Sequence, residues 1–166
     1  MNILVTGGHG FIGRHLIGEL CQQGHQVTVM DIQPPPQSLK HLVYDFLKDD
    51  LLEPSSIGAL EGKGFDTIIH LVGLSDARMA HHNPAHSFRL NVESTNNILE
   101  VCRRIPAHHV IVPSSAAIYG VTRQLPVPET APIQPTSVYG YHKAMVETLV
   151  QAYGQTYGIP YTILRL

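Results

Sequence analysis

Ile3-Leu4-Val5-Thr6-Gly7-Gly8-His9-Gly10-Phe11-Ile12-Gly13 is an apolar run that breaks into glycines, of which Gly7, Gly10 and Gly13 stand three apart. A short apolar run before a glycine cluster reads as a buried strand, and the glycines let the chain turn sharply and bring bare backbone close to a ligand. After the turn, Ile12, Leu16 and Leu20 recur at intervals of four, and Gly24 stands where a C-terminal cap belongs, which predicts a helix of about three turns. A strand, a glycine turn and a helix in that order place free N–H groups and the positive end of a helix dipole where a pyrophosphate can sit.

The same alternation continues along the chain. Val27 to Met30 predicts a second strand ending at Asp31, and Pro34-Pro35-Pro36 can only be loop. His41-Leu42-Val43-Tyr44 predicts the third strand, followed by a weak helix between Leu47 and Leu60. Asp66 to Val72 predicts the fourth. Asn83-Pro84 has the form of a helix cap with proline at the first helical position, and Phe88, Val92, Thr95, Leu99 and Cys102 extend one long helix toward Ile105-Pro106. Val110-Ile111-Val112 is the fifth strand, and a proline-rich loop runs from Pro113 to about Thr136. A last helix runs from near Ser137 to Tyr157, stopping at Gly158, and Tyr161 to Leu164 is a sixth strand. The pattern predicts one α/β domain over residues 1–166, a Rossmann-type doubly wound parallel sheet flanked by helices.

Composition narrows the function classes. The 166 residues carry Lys+Arg 11 against Asp+Glu 13, a formal net charge of -2, with no basic run. A nucleic-acid surface is therefore not expected. Hydrophobic residues make up 43% and charged residues 14%, enough for a sizeable core. No apolar run reaches the roughly 18 residues of a membrane span, no leader is apparent, and Cys21 and Cys102 lie far apart, so a reducing cytoplasm is the expected location.

Asp31, at the end of the second predicted strand, can accept hydrogen bonds from both hydroxyls of an adenosine ribose and would repel a 2′-phosphate. NAD is thus expected over NADP, unless Gln33 and Lys40 reorganise the loop. Tyr139 and Lys143 share one helix face at a spacing of four. An ammonium beside a phenol favours the phenolate and can bring a tyrosine from about 10 toward neutrality, so that it takes a proton from an alcohol as hydride leaves. Ser114-Ser115, just past the fifth strand, points a hydroxyl toward the same crevice, where Ser115 can hydrogen-bond the reacting oxygen.

Together these residues resemble the extended short-chain dehydrogenases/reductases, and within them the NAD-dependent nucleotide-sugar epimerase/dehydratase group. Thr6 to Gly13, Asp31, Asp45, His70-Leu71-Val72-Gly73, Asn91-Val92, Ser114 to Gly120 and Tyr139-Gly140-Tyr141-His142-Lys143 carry the resemblance, which spans the chain. It implies that Gly7, Gly10, Phe11 and Ile12 hold the pyrophosphate, Asp31 the ribose, and Asp45 with Phe46 the adenine. Leu71, Val72 and Gly73 would line the cofactor, Asn91 would support the site, and Pro113 would lie by the nicotinamide. Ser115, Tyr139 and Lys143 would be catalytic, with Lys143 also binding the nicotinamide ribose.

Ala116 and Ala117 stand where the group's dehydratases carry an Asp-Glu pair, so the resemblance is to a UDP-galactose 4-epimerase-like reaction on a nucleotide sugar. A reductase or dehydrogenase of another alcohol, and an NAD-binding fragment without turnover, are the alternatives. Family members continue beyond the sixth strand into a C-terminal substrate domain that this sequence lacks. A homodimer, if formed, is expected through the helices of Asn91 and Tyr139.

The 11 histidines add no expected metal site. Asn83-Pro84 interrupts any helical spacing of His81, His82 and His86, which read as solvated surface. His9 and His108-His109 read as loop or surface, His70 as structural beside the crevice, and both cysteines as core thiols on buried helix faces.

Overall fold

A computed structural model describes residues 1–60, 62–105, 109–122 and 124–166, with all their side chains except those of residues 54 and 57. Its six strands, β1 (Asn2–Thr6), β2 (Gln26–Asp31), β3 (Asp45–Lys48), β4 (Thr67–His70), β5 (His109–Ser114) and β6 (Tyr161–Arg165), form one sheet in the order β3-β2-β1-β4-β5-β6. Every pairing is parallel. The order reverses between β1 and β4, and a crevice opens beyond the strand ends at such a switch point.

Side chains alternate through the sheet into two apolar layers. Ile3, Val5, Val27 and Val29 meet Ile17 of α1 (Phe11–Gln22) on one face. On the other, Leu4, Ile68, Val110 and Val112 meet Ile98 and Leu99 of α5 (Ser94–Arg104) and Val146 and Val150 of α6 (Val138–Tyr157). The ends of α6 are those expected from the sequence: Ser137 Oγ accepts the Gly140 N–H at 3.1 Å, and Gly158 closes the helix at φ 69°.

Three sequence expectations need correction. β3 lies at Asp45–Lys48, not at His41 to Tyr44, because its ladder with β2 begins at the Thr28–Asp45 pair. The apolar residues before it serve another purpose: Leu39 is buried, and Val43 packs against the α1-side core from a turn. A further short helix, α3 (Ala77–His82), was not expected; Asp76 caps it by accepting the Arg78 and Met79 N–H groups. Cys21 is only half-buried, whereas Cys102 is buried as expected.

The weak helix expected before Leu60 is the short α2 (Pro54–Leu60). The long helix expected around Asn91 is α4 (Pro84–Phe88), a π-helical turn (Arg89–Glu93) and α5 in unbroken succession. Its expected end at Pro106, like His108, lies outside the described residues.

The start of α1 sets a sharp steric condition. A Cβ on Gly13 would lie 2.3 Å from the Gly8 carbonyl oxygen, a backbone atom that cannot step aside. A Cβ on Gly18, in the same helix, meets nothing within 4 Å. Gly13→Ala is expected to lower unfolding free energy by about 1–3 kcal/mol or more through overpacking. Gly18→Ala should raise it by roughly 0.5–1 kcal/mol. Urea denaturation of the two variants checks the contrast; equal effects would show that the close approach is not limiting.

Candidate functional site

At the switch point two cavities share Gly7, Gly10, Leu71, Val72 and Gly73. The first, about 390 Å³, is lined further by Phe11, Ile12, Asn91, Pro113, Ser114, Ser115, Tyr139 and Lys143. The second, about 650 Å³, is lined by His9, Arg14, Asp31, Gln33, Asp49, Asp50 and Leu51. The shared residues form a bridge between an acidic end and an end carrying Tyr139 and Lys143.

Backbone packing builds that bridge. Gly7 has φ +66°, and a Cβ there would lie 2.7 Å from the Val72 nitrogen, so the glycine turn and the segment after β4 touch main chain to main chain. The cap of α1 is Gly10, which offers no side chain to the first-turn N–H groups. These donors, with the helix dipole behind them, suit an anion bridging the two cavities.

At the acidic end Asp31 accepts the His9 N–H at 2.9 Å on Oδ2 and the Gln33 N–H at 2.9 Å on Oδ1. Each carboxylate oxygen keeps a lone pair for a further donor. Asp45 and Phe46, expected at the adenine, line neither cavity. Asp45 lies on β3 with Oδ2 3.0 Å from Lys63 Nζ, and the Phe46 ring is 5.2 Å from that of His9. Because β3 begins four residues later than expected, the residues that follow it and reach the cleft are Asp49, Asp50 and Leu51. His9, expected as a loop or surface residue, lies in the glycine turn but is 4% exposed.

At the other end the lysine is held by main chain: Lys143 Nζ donates to the Pro113 carbonyl at 3.0 Å. Burial lowers its pKa from the ordinary 10.5 to about 8. Tyr139, one turn earlier on α6, is buried and lines the same cavity. Ser115 Oγ accepts the Ala117 N–H at 3.2 Å and caps a 3₁₀ turn (Ala116–Tyr119), which leaves its own hydrogen to be donated. Arg165 ties this turn to α6, with two hydrogen bonds to the Glu147 carboxylate (3.0 and 2.8 Å) and one to the Tyr119 hydroxyl (2.7 Å).

Asn91 reaches the cavity from the π-helical turn, where the widened backbone leaves carbonyls for side-chain hydroxyls: Ser94 donates to Leu90 O and Thr95 to Asn91 O, both at 2.6 Å. Its amide nitrogen donates to the Ser87 and Leu74 carbonyls. Asn91 Oδ1 and Ser114 Oγ are buried and have no hydrogen-bond partner among the described residues. His70 also lines this cavity, with Nδ1 2.8 Å from Thr6 Oγ1 and Nε2 3.3 Å from Ser94 Oγ. Burial, assisted by the Lys143 charge, holds its pKa down at about 3, so the ring is neutral.

His81, His82 and His86 are exposed, and among the described residues no three His, Cys, Asp or Glu side chains come together to hold a metal ion. No helix among the described residues is long and apolar enough to cross a membrane.

The sheet order and the paired cavities define a Rossmann-type α/β domain with a Tyr–Lys pair at one end of the crevice. Residues 3–166 match the model of the NAD dependent epimerase/dehydratase family, and the chain belongs to that family. It is 33% identical to a putative UDP-glucose 4-epimerase of Methanocaldococcus jannaschii, over 98% of this chain and 54% of the relative. The crystal structure of UDP-glucose 4-epimerase from Brucella ovis in complex with NAD superposes with a TM-score of 0.91 at 33% identity, over 99% of this chain and 51% of that one. The UDP-glucose complex of the Thermotoga maritima 4-epimerase gives 0.93 at 29%, over 99% and 55%. The chain spans about half the length of these relatives.

The Lys143 environment has a pH signature. Its folded pKa of about 8 lies below the ordinary 10.5, so between those values the unfolded chain binds more protons and stability rises with pH. Lys143→Met should be more stable than the natural chain at pH 7 and should lose that rise. Denaturant midpoints from pH 7 to 10.5 check it; parallel curves for the two proteins would contradict the buried position of the ammonium.

Proposed function

We propose that this chain binds NAD across the switch-point cleft and forms the cofactor and proton-transfer half of a nucleotide-sugar 4-epimerase. The observation that carries the reading is a pair of adjoining cavities that share the glycine turn and Leu71 to Gly73, one lined by Asp31 and the other by Ser115, Tyr139 and Lys143. The start of α1, which no side chain caps, fits the pyrophosphate of a dinucleotide. The names of the relatives support the substrate class.

In this reading the α1 N–H groups at Phe11 and Ile12 take the pyrophosphate, with Gly7 and Gly10 giving it room. Asp31 accepts from the adenosine ribose hydroxyls, Asp49, Asp50 and Leu51 border the adenosine, and Leu71, Val72, Gly73 and Pro113 border the remainder. When bound, NAD supplies a hydride acceptor that can return the hydride to either face of the sugar.

The chain's own residues move the proton. Tyr139, as phenolate, takes the hydrogen of the sugar C4 hydroxyl while the C4 hydrogen leaves as hydride, and the carbon becomes a ketone. Ser115 donates a hydrogen bond to that oxygen. Tyr139 returns the proton when hydride comes back to the opposite face, so each turnover is balanced with no net redox change. Lys143 stabilises the phenolate by its charge, and Asn91 holds the neighbouring wall.

A cytoplasmic location and a homodimer through the succession of helices from α4 to α5 that carries Asn91, together with α6, belong to the same proposal. The first is supported by two free thiols, and the second by the exposed apolar side chains of Phe88, Tyr141 and Met145 along that face. Sedimentation of the chain decides the dimer, a monomer alone refuting it.

Titration with NADH and NADPH, followed by nicotinamide fluorescence, tests the cofactor assignment. Saturable binding that prefers NADH is expected, with Asp31→Ala weakening NADH by about 10-fold or more, as loss of hydrogen bonds to a charged group implies. Tyr139→Phe should leave NADH affinity nearly unchanged and lower UDP-glucose/UDP-galactose interconversion by about 10²-fold or more wherever that activity is measurable. A folded chain with no NADH binding would overturn the proposal.

A further inference from the structure

His9 stands in the glycine turn yet is buried, and its hydrogen bonds run to the far side of the cleft. Its main-chain N–H donates to Asp31 Oδ2 at 2.9 Å. Its ring nitrogen Nδ1 lies 2.7 Å from the Gln33 carbonyl oxygen, and because a carbonyl can only accept, Nδ1 carries the hydrogen and donates it. The Gln33 N–H donates in turn to Asp31 Oδ1. The ring packs against Phe46 at 5.2 Å between centroids, closing the back of the arrangement. Main chain and side chain of one residue therefore hold the Asp31–Gln33 segment at two points against the glycine turn, and the segment is closed on itself by a third hydrogen bond.

We infer that His9 is a specificity-determining residue of the cofactor site: by holding Asp31 and the Gln33 carbonyl in place, it makes the cleft select a ribose diol over a 2′-phosphate. The inference rests on the NAD reading of this cleft. A diol donates to a fixed carboxylate without moving it. A phosphate on the 2′ oxygen meets like charge at Asp31 and fits only if the segment from Asp31 to Gln33 withdraws. The cation such a phosphate needs is already at the cavity wall: Arg14 is exposed there, its Nε donating to the His9 carbonyl at 2.6 Å. The ring-to-carbonyl hydrogen bond is what opposes the withdrawal. His9 acts through Asp31 and Gln33 and is a positioning residue.

The test compares the natural chain with His9→Ala, His9→Phe and His9→Asn by NADH and NADPH fluorescence titration and by thermal unfolding. The ratio of NADPH to NADH dissociation constants should fall about three- to tenfold in His9→Ala and His9→Phe, the range set by one hydrogen bond. His9→Phe keeps a ring against Phe46 and so remains informative where the alanine variant does not fold. His9→Asn, whose amide nitrogen can occupy the place of Nδ1, should restore much of the ratio. An unchanged ratio in folded His9→Phe overturns the inference, as does proportional loss of both affinities, which would mark the ring as merely structural. Failure of the natural chain to bind NADH removes the reading beneath the inference, and the inference with it.

Discussion

Helix α1 begins by packing on the backbone it has just left, and that contact has no space for a side chain at Gly13. Everything at the switch point follows from it. The close start directs the first-turn N–H groups of α1 over the end of β1, while Ile17 on the same helix is drawn fully into the core below. A second backbone contact, Gly7 against Val72, brings the segment after β4 to the same place. A turn with side chains at these positions would hold the two segments apart, and the two cavities would no longer share a wall.

The other end of the cleft is organised by burial more than by steric contact. Lys143 and His70 lie in surroundings that disfavour charge, which lowers the pKa of both. In a poorly hydrated site a charge that does form acts strongly on its neighbours. The rigidity this needs comes from outside the cavity. Arg165 and Glu147, the latter 1% exposed, join β6, α6 and the Ser115 turn in one hydrogen-bonded cluster. The π-helical turn brings Asn91 in from the opposite wall.

Residues whose placement is set by local spacing were legible in the sequence. The glycine turn, Asp31 at a strand end, the Tyr139–Lys143 pair and both ends of α6 depend on intervals of three or four residues and on caps, and the cleft brings these residues together. What was not legible depends on tertiary partners. His41 to Tyr44 is as apolar as a strand, yet the register with β2 is set at Thr28–Asp45, which moves the acidic residues at the cleft to Asp49 and Asp50. His9 looks like a turn residue until the Gln33 carbonyl is seen beside it. The one local signal missed was Asp76, a helix cap three residues before Met79, which marks the start of α3.

The central claim is that a single dinucleotide lies across both cavities. The most direct measurement is the change in backbone amide NMR shifts when NAD⁺ is added to the chain. The account predicts concerted shifts in Gly7 to Gly13, Asp31 to Gln33, Leu71 to Ser75 and the start of α6 from Tyr139 to Lys143, all with one saturation curve. Shifts confined to one cavity, or separate saturation curves at the two ends, would contradict it.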